Sequence, residues 1–330
     1  HFVLIYAKPP EPPAMKLGLS VASYRWVCYP PTLHDNRGAT IHSVTHPAYL
    51  NTGMPLPYTL SITPPAPGDH IEWSIDRAAA LRLSPLYFCV AWFDDEDHAR
   101  RTGRHMAEKN VKLIAAGTGD WASTGDEWQV ERDNFVRHMH LGKAAGADII
   151  VAVHHGALEH HHFSKNPPIA EQIKRMIANF NELTSCAEAI GIVMAFENHM
   201  DYRCTEIAEV VSAVDSPWLR VNYDFGNSLA VIEDPLEAAK AVAEWTVMTH
   251  IKDMRIQPKT LDGEPRILTA PLGQGNVPIP EILEVLQSSV ADPDNLALCV
   301  EVAPQPHQDP EAWMQISLAY MRENFGQYLT

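Results

Sequence analysis

The sequence predicts a single-domain α/β protein, a closed (β/α)8 barrel with a long insertion after the first strand. Three observations carry that prediction. Short apolar segments alternate with longer amphipathic ones eight times along 330 residues. The strand segments are almost continuously apolar, as strands buried on both faces of a parallel sheet must be. Lys16–Ser20 (KLGLS) is followed by SVASYRW and not by a Gly-rich phosphate turn, which disfavours an open doubly wound sheet.

The elements follow in order. Residues 1–14 (HFVLIYAKPPEPPA) read as an N-terminal extension without a signal-peptide pattern, and the barrel as residues 15–330, with Met15 opening the first strand. The stretch from about 30 to 68 is rich in Pro, Thr, His and Gly and has no clear period, so it reads as the inserted excursion. Asp69 is placed to cap a helix carrying Ile71, Trp73, Ile75 and Ala78. LYFCVAWF (86–93), VKLIAAG (111–117) and DIIVAVHH (148–155) supply strands two to four. A long helix starts on Pro167–Pro168 and ends at Gly191. IVMAFENH (192–199), LRVNYDFGN (219–227), VMTHIKDMR (247–255) and LALCVEV (296–302) supply strands five to eight, each followed by a helical stretch.

Composition excludes some function classes. Hydrophobic residues make up 46% and charged residues 20%, ordinary globular values. A formal charge of −16 argues against a nucleic-acid partner, which needs clustered Lys and Arg. No apolar run has the length of a membrane span. The five cysteines form no CxxC pair and read as small buried hydrophobes of a reducing, cytoplasmic compartment.

The chemistry is signalled by position. Glu197, Asp224, His250 and Glu301 stand at the ends of the last four strands, 27, 26 and 51 residues apart. Strand C-termini of a closed barrel converge on one face, and that face holds the active site. A lone acidic residue there is usually a cap or a solvated loop residue. Four in successive apolar strands need a compensating charge, and one divalent metal ion supplies it. Three carboxylates and one imidazole suit Mn²⁺, with Mg²⁺ or Co²⁺ as alternatives, better than a thiolate zinc site.

The strings AFENH, VNYDFGN, THIKDMR, LGQGNVPIPEIL and CVEV resemble the xylose isomerase-like TIM barrel superfamily from about Asp148 to the end. The resemblance implies a sugar isomerase or epimerase acting on a ketose or polyol through an enediolate. Glu197 and Glu301 would serve both as ligands and as proton-transfer groups. It equally admits a lyase of the same barrel type, such as an inosose dehydratase or the catalytic subunit of a C-glycoside deglycosidase that cleaves 3-oxo-glycosides. The partners implied are a small sugar or glycoside, and either copies of the same chain or a small second subunit. The endonuclease branch is disfavoured, because Asn227 stands where those enzymes place a histidine and Lys252-Asp253 replaces their Asp-x-His pair.

Further candidates surround the quartet. His155 is expected to face the barrel as a catalytic or substrate-contacting group, with His154 turned away by strand alternation. Lys252, Arg255, Asn227 and Trp121 are candidate substrate contacts. Tyr24, Trp26 and Trp92 would extend an apolar wall. Asn198 or His199 would orient a ligand. Glu159 and His160–His162 read as a solvated or lid loop.

Overall fold

The fold is that of a computed structural model. It describes residues 15–24, 32–34, 40–42, 61–63, 65, 69–259, 263–304, 308–326 and 329. The expectations for residues 1–14, Trp26, Cys28 and most of the 30–68 insertion lie outside these residues.

Eight parallel strands close into a barrel: β1 (Lys16–Ser20), β2 (Leu86–Cys89), β3 (Leu113–Gly119), β4 (Ile149–His154), β5 (Val193–Glu197), β6 (Leu219–Asp224), β7 (Thr246–Ile251) and β8 (Ala297–Val300). β1 pairs with both β2 and β8, which removes every sheet edge. Among the described residues eight α-helices cover the outside: α1 (His70–Leu81), α2 (Glu96–Glu108), α3 (Gly125–Ala144), α4 (Ile169–Ile190), α5 (Cys204–Val214), α6 (Pro235–Val242), α7 (Ile279–Ser289) and α8 (Pro310–Phe325). Asp95, Asp234 and Asp309 accept backbone N–H groups at the starts of α2, α6 and α8. Asp69 does precede α1, but its side chain makes no capping bond.

Strand alternation divides the apolar residues into two cores. One set, including Phe88, Phe135, Phe180, Phe196 and Leu298, fills the layer between strands and helices. The other lies inside the barrel: Tyr87, Ile114, Ala116, Val151, Ala195, Met248, Ala297 and Cys299. The inner residues define the parity of each strand. Continuing Ala195, Met248 and Cys299 by two residues leads to Glu197, His250 and Glu301. Cys89, Cys186, Cys204 and Cys299 are free, and Cys204 and Cys299 are buried.

The chain departs from the sequence expectations at four places. Strand two ends at Cys89, and Val90–Trp92 turn into a 3-10 helix that stacks Trp92 on Phe88. Pro168 precedes α4 as its cap residue and is not inside its first turn. Part of the insertion is regular, since Thr32–His34 pairs antiparallel with Thr40–His42. The strand containing His250 stops at Ile251, and Asp253–Gln257 leaves the barrel to pair antiparallel with Arg266–Ala270.

Candidate metal centre

The site is built on register. His250 lies beside Asp224 on β6 and Cys299 on β8, and Glu197 lies beside Asn222. A bulge between Val221 and Asn222 shifts the β6–β7 pairing. Beyond it Asn222 meets Met248 and Asp224 meets His250, so inner side chains of the two strands face each other. The N–H of Glu301 donates to the Ile251 carbonyl at 2.9 Å, extending the β8 ladder by one residue.

Glu197, Asp224 and His250 each place one ligand atom within 4.8 Å of the others, and all three are buried. His250 Nδ1 is 3.5 Å from Glu197 Oε1, 3.7 Å from Asp224 Oδ2 and 3.7 Å from Glu301 Oε2. The Asn222 amide lies 3.3 Å from the same nitrogen. The imidazole rests edge-on against Tyr87 inside the barrel, ring centres 4.4 Å apart. Burial by itself lowers the His250 pKa, but the surrounding Glu197, Glu301 and Asp224 carboxylates outweigh it and push it up to about 10.

Glu301, the fourth expected ligand, lies beside this group, its Oε2 as close to His250 Nδ1 as Asp224 Oδ2 is. Its Oε2 accepts from Ser20 Oγ at 2.8 Å, and its Oε1 pairs with Lys252 Nζ at 2.8 Å. Lys252 also pairs with Asp224 Oδ2 at 2.6 Å and donates to Asn227 Oδ1 at 3.1 Å. Burial alone would lower the Lys252 pKa, but Asp224 and Glu301 outweigh it and raise the ammonium above its ordinary value. Ser20 is the contributor that sequence reading misses; its signal was its place at the end of strand one.

Neighbouring groups hold the ligands. Asn198 receives the Asp224 N–H on Oδ1 at 2.6 Å and donates Nδ2 to the Asp224 carbonyl at 2.9 Å, so one amide clamps that peptide. Asp224 Oδ1 accepts the N–H groups of Gly226 and Asn227. Asp253 turns away from Lys252 and accepts from the N–H groups of Gly275 and Val277, fixing the Gly-rich loop. A Cβ at Gly275 would lie 2.0 Å from Asp253 Oδ1, so only glycine permits this approach.

Several expected contacts are not part of the site. Trp121 is fully buried, packs on Phe135 and Phe180, and belongs to the layer outside the strands; it is no substrate wall. Tyr24 is equally buried, its hydroxyl donating to Glu311. Trp92 is in the same outer layer. Arg255 is carried out on the hairpin, exposed, and donates to the Gln274 carbonyl. This departure follows from the barrel strand ending at Ile251. His155 keeps the inward parity of Val151 and Val153 but stands exposed past the end of β4, outside the hydrogen bonds and ion pairs of the cluster. His154 is buried against Tyr202 with neither ring nitrogen hydrogen-bonded. In the following loop His160 bonds to Asp120 at 2.8 Å and His162 to Glu206 at 2.7 Å, so both are paired.

The donor chemistry fits a divalent ion. Two carboxylates and an imidazole face one point, and among the described residues Glu197 Oε2 and Asn227 Nδ2 are buried without a hydrogen-bond partner. Among the described residues no helix is long and apolar enough to cross a membrane.

Comparisons with known proteins bear on the fold. No curated protein sequence matches the chain. Its fold is similar to the IOLI protein solved with a bound zinc atom (TM-score 0.64, 14% identity, 96% of this chain and 100% of that one). It is similar to a D-psicose 3-epimerase solved in the presence of D-fructose (TM-score 0.61, 15% identity, 94% of this chain and 100% of that one). It is also similar to the probable 3-DHS dehydratase of petrobactin synthesis from Bacillus anthracis (0.57, 15%, 94% and 100%). The profile of one family matches residues 70–324, well over half of the chain, and the protein therefore belongs to the xylose isomerase-like TIM barrel family.

Proposed function

We propose that the protein is a divalent-metal-dependent isomerase or epimerase of a ketose or related polyol. The observation that carries this reading is the buried group of Glu197, Asp224 and His250 at the C-terminal face of the barrel, with Glu301 beside it. A divalent ion held there, Mn²⁺ first and Mg²⁺, Co²⁺ or Zn²⁺ as alternatives, would supply Lewis acidity to adjacent carbonyl and hydroxyl oxygens. Glu197 and Glu301 come from the outermost of four neighbouring strands, so they flank the group from two sides. One can take the proton from the carbon next to a carbonyl while the other returns it. Asn227 Nδ2, buried without a partner, is a donor for a substrate oxygen, and Lys252 holds Asp224 and Glu301 in place beside it. The fold likeness to a D-psicose 3-epimerase and to a zinc-bound barrel supports this reading.

Elimination is the second reading, covering an inosose-type dehydratase or a C-glycoside deglycosidase. The loop after β4 favours it. His155 is exposed there at the C-terminal face of the barrel, and His160 ties the loop to Asp120. The likeness to a probable dehydratase points the same way.

The test is metal analysis of the purified chain followed by assay in D₂O with ketoses, inososes and 3-oxo-glycosides. Deuterium entering the sugar without a leaving group is the expected result. Release of water or an aglycone favours elimination. Turnover that survives complete chelation of metal overturns both.

A further inference from the structure

We infer that the C-terminal face of the barrel, on the side of β4 to β7, is a docking surface for a second copy of this chain. Among the described residues eight large apolar side chains are exposed, and six of them stand here: Leu158, Phe163, Met200, Ile232, Ile256 and Ile267. Single exposed apolar residues are ordinary, but a group gathered on one face marks an interface. Leu158 and Ile232 are 94% and 76% exposed, so the barrel itself gives them no packing.

The six lie along one arc, on the segments that follow four adjacent strands. The N–H of His162, next to Phe163, donates to the carbonyl of Asp201, next to Met200, at 2.7 Å. Arg203 reaches the following loop and donates to the Val231 and Ile232 carbonyls at 3.1 and 3.3 Å. Ile256 and Ile267 oppose each other across the hairpin, on the face of Met254, whose side chain lies against Gly226 in the loop after β6. The arc is held in place. His160 with Asp120 and His162 with Glu206 anchor the loop after β4. Met200 at φ +42° and Ile232 at φ +54° take the left-handed region, which a β-branched residue rarely adopts. The fold holds these two apolar side chains outward against conformational strain, as functional surfaces do.

Charge identifies the occupant. The chain carries −16, so two copies repel each other over most of their surface. Along the arc that repulsion lapses. Segments 155–168, 198–203 and 225–234 hold four acidic and two basic residues, and segment 252–276 holds four basic and three acidic ones, so together they carry only −1. One end of the arc is acidic and the other basic. A two-fold axis through its middle sets the hairpin of one copy against the loop after β4 of the other. The exposed Arg255 and Lys259 then meet the exposed Glu159 twice, and Ile256 and Ile267 meet Leu158 and Phe163. One self-complementary contact covers the apolar residues and pairs the charges, with no second kind of chain.

Sedimentation velocity on the full-length chain tests this, with circular dichroism confirming that each variant is folded. The wild-type chain is expected to sediment as a dimer that dissociates on dilution within about 1–100 μM. Phe163→Glu and Ile232→Lys are each expected to raise the dimer Kd by about a hundredfold or more. Val130→Lys and Ile316→Lys, at exposed apolar positions on α3 and α8, are expected to leave it unchanged. Charge reversal tests the pairing. Glu159→Lys in one preparation, and Arg255→Glu with Lys259→Glu in another, should each weaken self-association by about tenfold or more, and mixing the two should restore a dimer. Three results each overturn the inference: a wild-type chain that stays monomeric throughout that range, a dimer that survives both Phe163→Glu and Ile232→Lys, or reversed chains that fail to associate when mixed.

Discussion

Buried histidines in the two halves of the barrel have opposite fates. His138 on α3 packs under β3 beside Gly117, and burial followed by the Arg137 charge lowers its pKa to about 3. His154 at the end of β4 is also lowered, with burial outweighing the nearby carboxylates Asp201 and Asp120. His250 on β7 is as buried, yet it is raised to about 10 because three carboxylates face it. Burial is common to all three, so the local count of carboxylates decides the sign. Strands β5 to β8 concentrate charge, while β1 to β4 send Ser20, Tyr87, Ile114, Ala116, Val151 and Val153 inward. One half is a charged centre and the other is its neutral, largely apolar wall.

The contrast can be broken most forcefully at Glu197. Glu197→Gln should lower kcat/KM by between about a hundredfold and ten-thousandfold, the range of a lost proton-transfer group, and steady-state kinetics on the identified substrate will show it. Lys252→Met comes next. It strips the partner from buried carboxylates, so the metal-free chain should lose about 3–5 kcal/mol in urea unfolding, partly recovered on adding Mn²⁺.

His138 sharpens the neutral side. Its folded pKa of about 3 lies below its unfolded value, so the unfolded chain binds more protons between those two values. Stability is therefore full above the unfolded pKa and falls as pH drops towards the folded one. The loss should be about 2 kcal/mol by about pH 5, and His138→Gln should remove that slope in denaturation curves. His250 gives the opposite slope for binding. Its imidazole must shed a proton to accept a metal, so Mn²⁺ affinity should rise about tenfold per pH unit up to about pH 9, with proton release measurable by calorimetry in different buffers. The smallest effect belongs to Ser20→Ala. Loss of its bond to Glu301 should cost about 1 kcal/mol in unfolding experiments.

The barrel was legible because both faces of its strands are buried, which writes near-continuous apolar runs into the sequence. The ligands were legible for a related reason: a carboxylate inside such a run has no ordinary explanation. Lys252 followed from alternation past His250. Arg255 did not, because the chain leaves the barrel between Ile251 and Asp253, a break that alternation cannot reveal. Trp121 and Tyr24 follow strands as active-site residues do, but the chain there turns towards the helix layer, and only tertiary packing tells the two directions apart. Glu301 was found as a residue, while its hydrogen bond to Ser20, 281 positions away in the chain, depends on barrel closure.

That long reach bears on how the protein is made. Glu197, Asp224 and His250 come from three consecutive strands and can meet as soon as β5 to β7 pair. The Ser20–Glu301 bond requires β1 to meet β8, the longest closure in the barrel and an entropically slow one. During synthesis the Glu197, Asp224 and His250 group can therefore form before Glu301 is secured beside it.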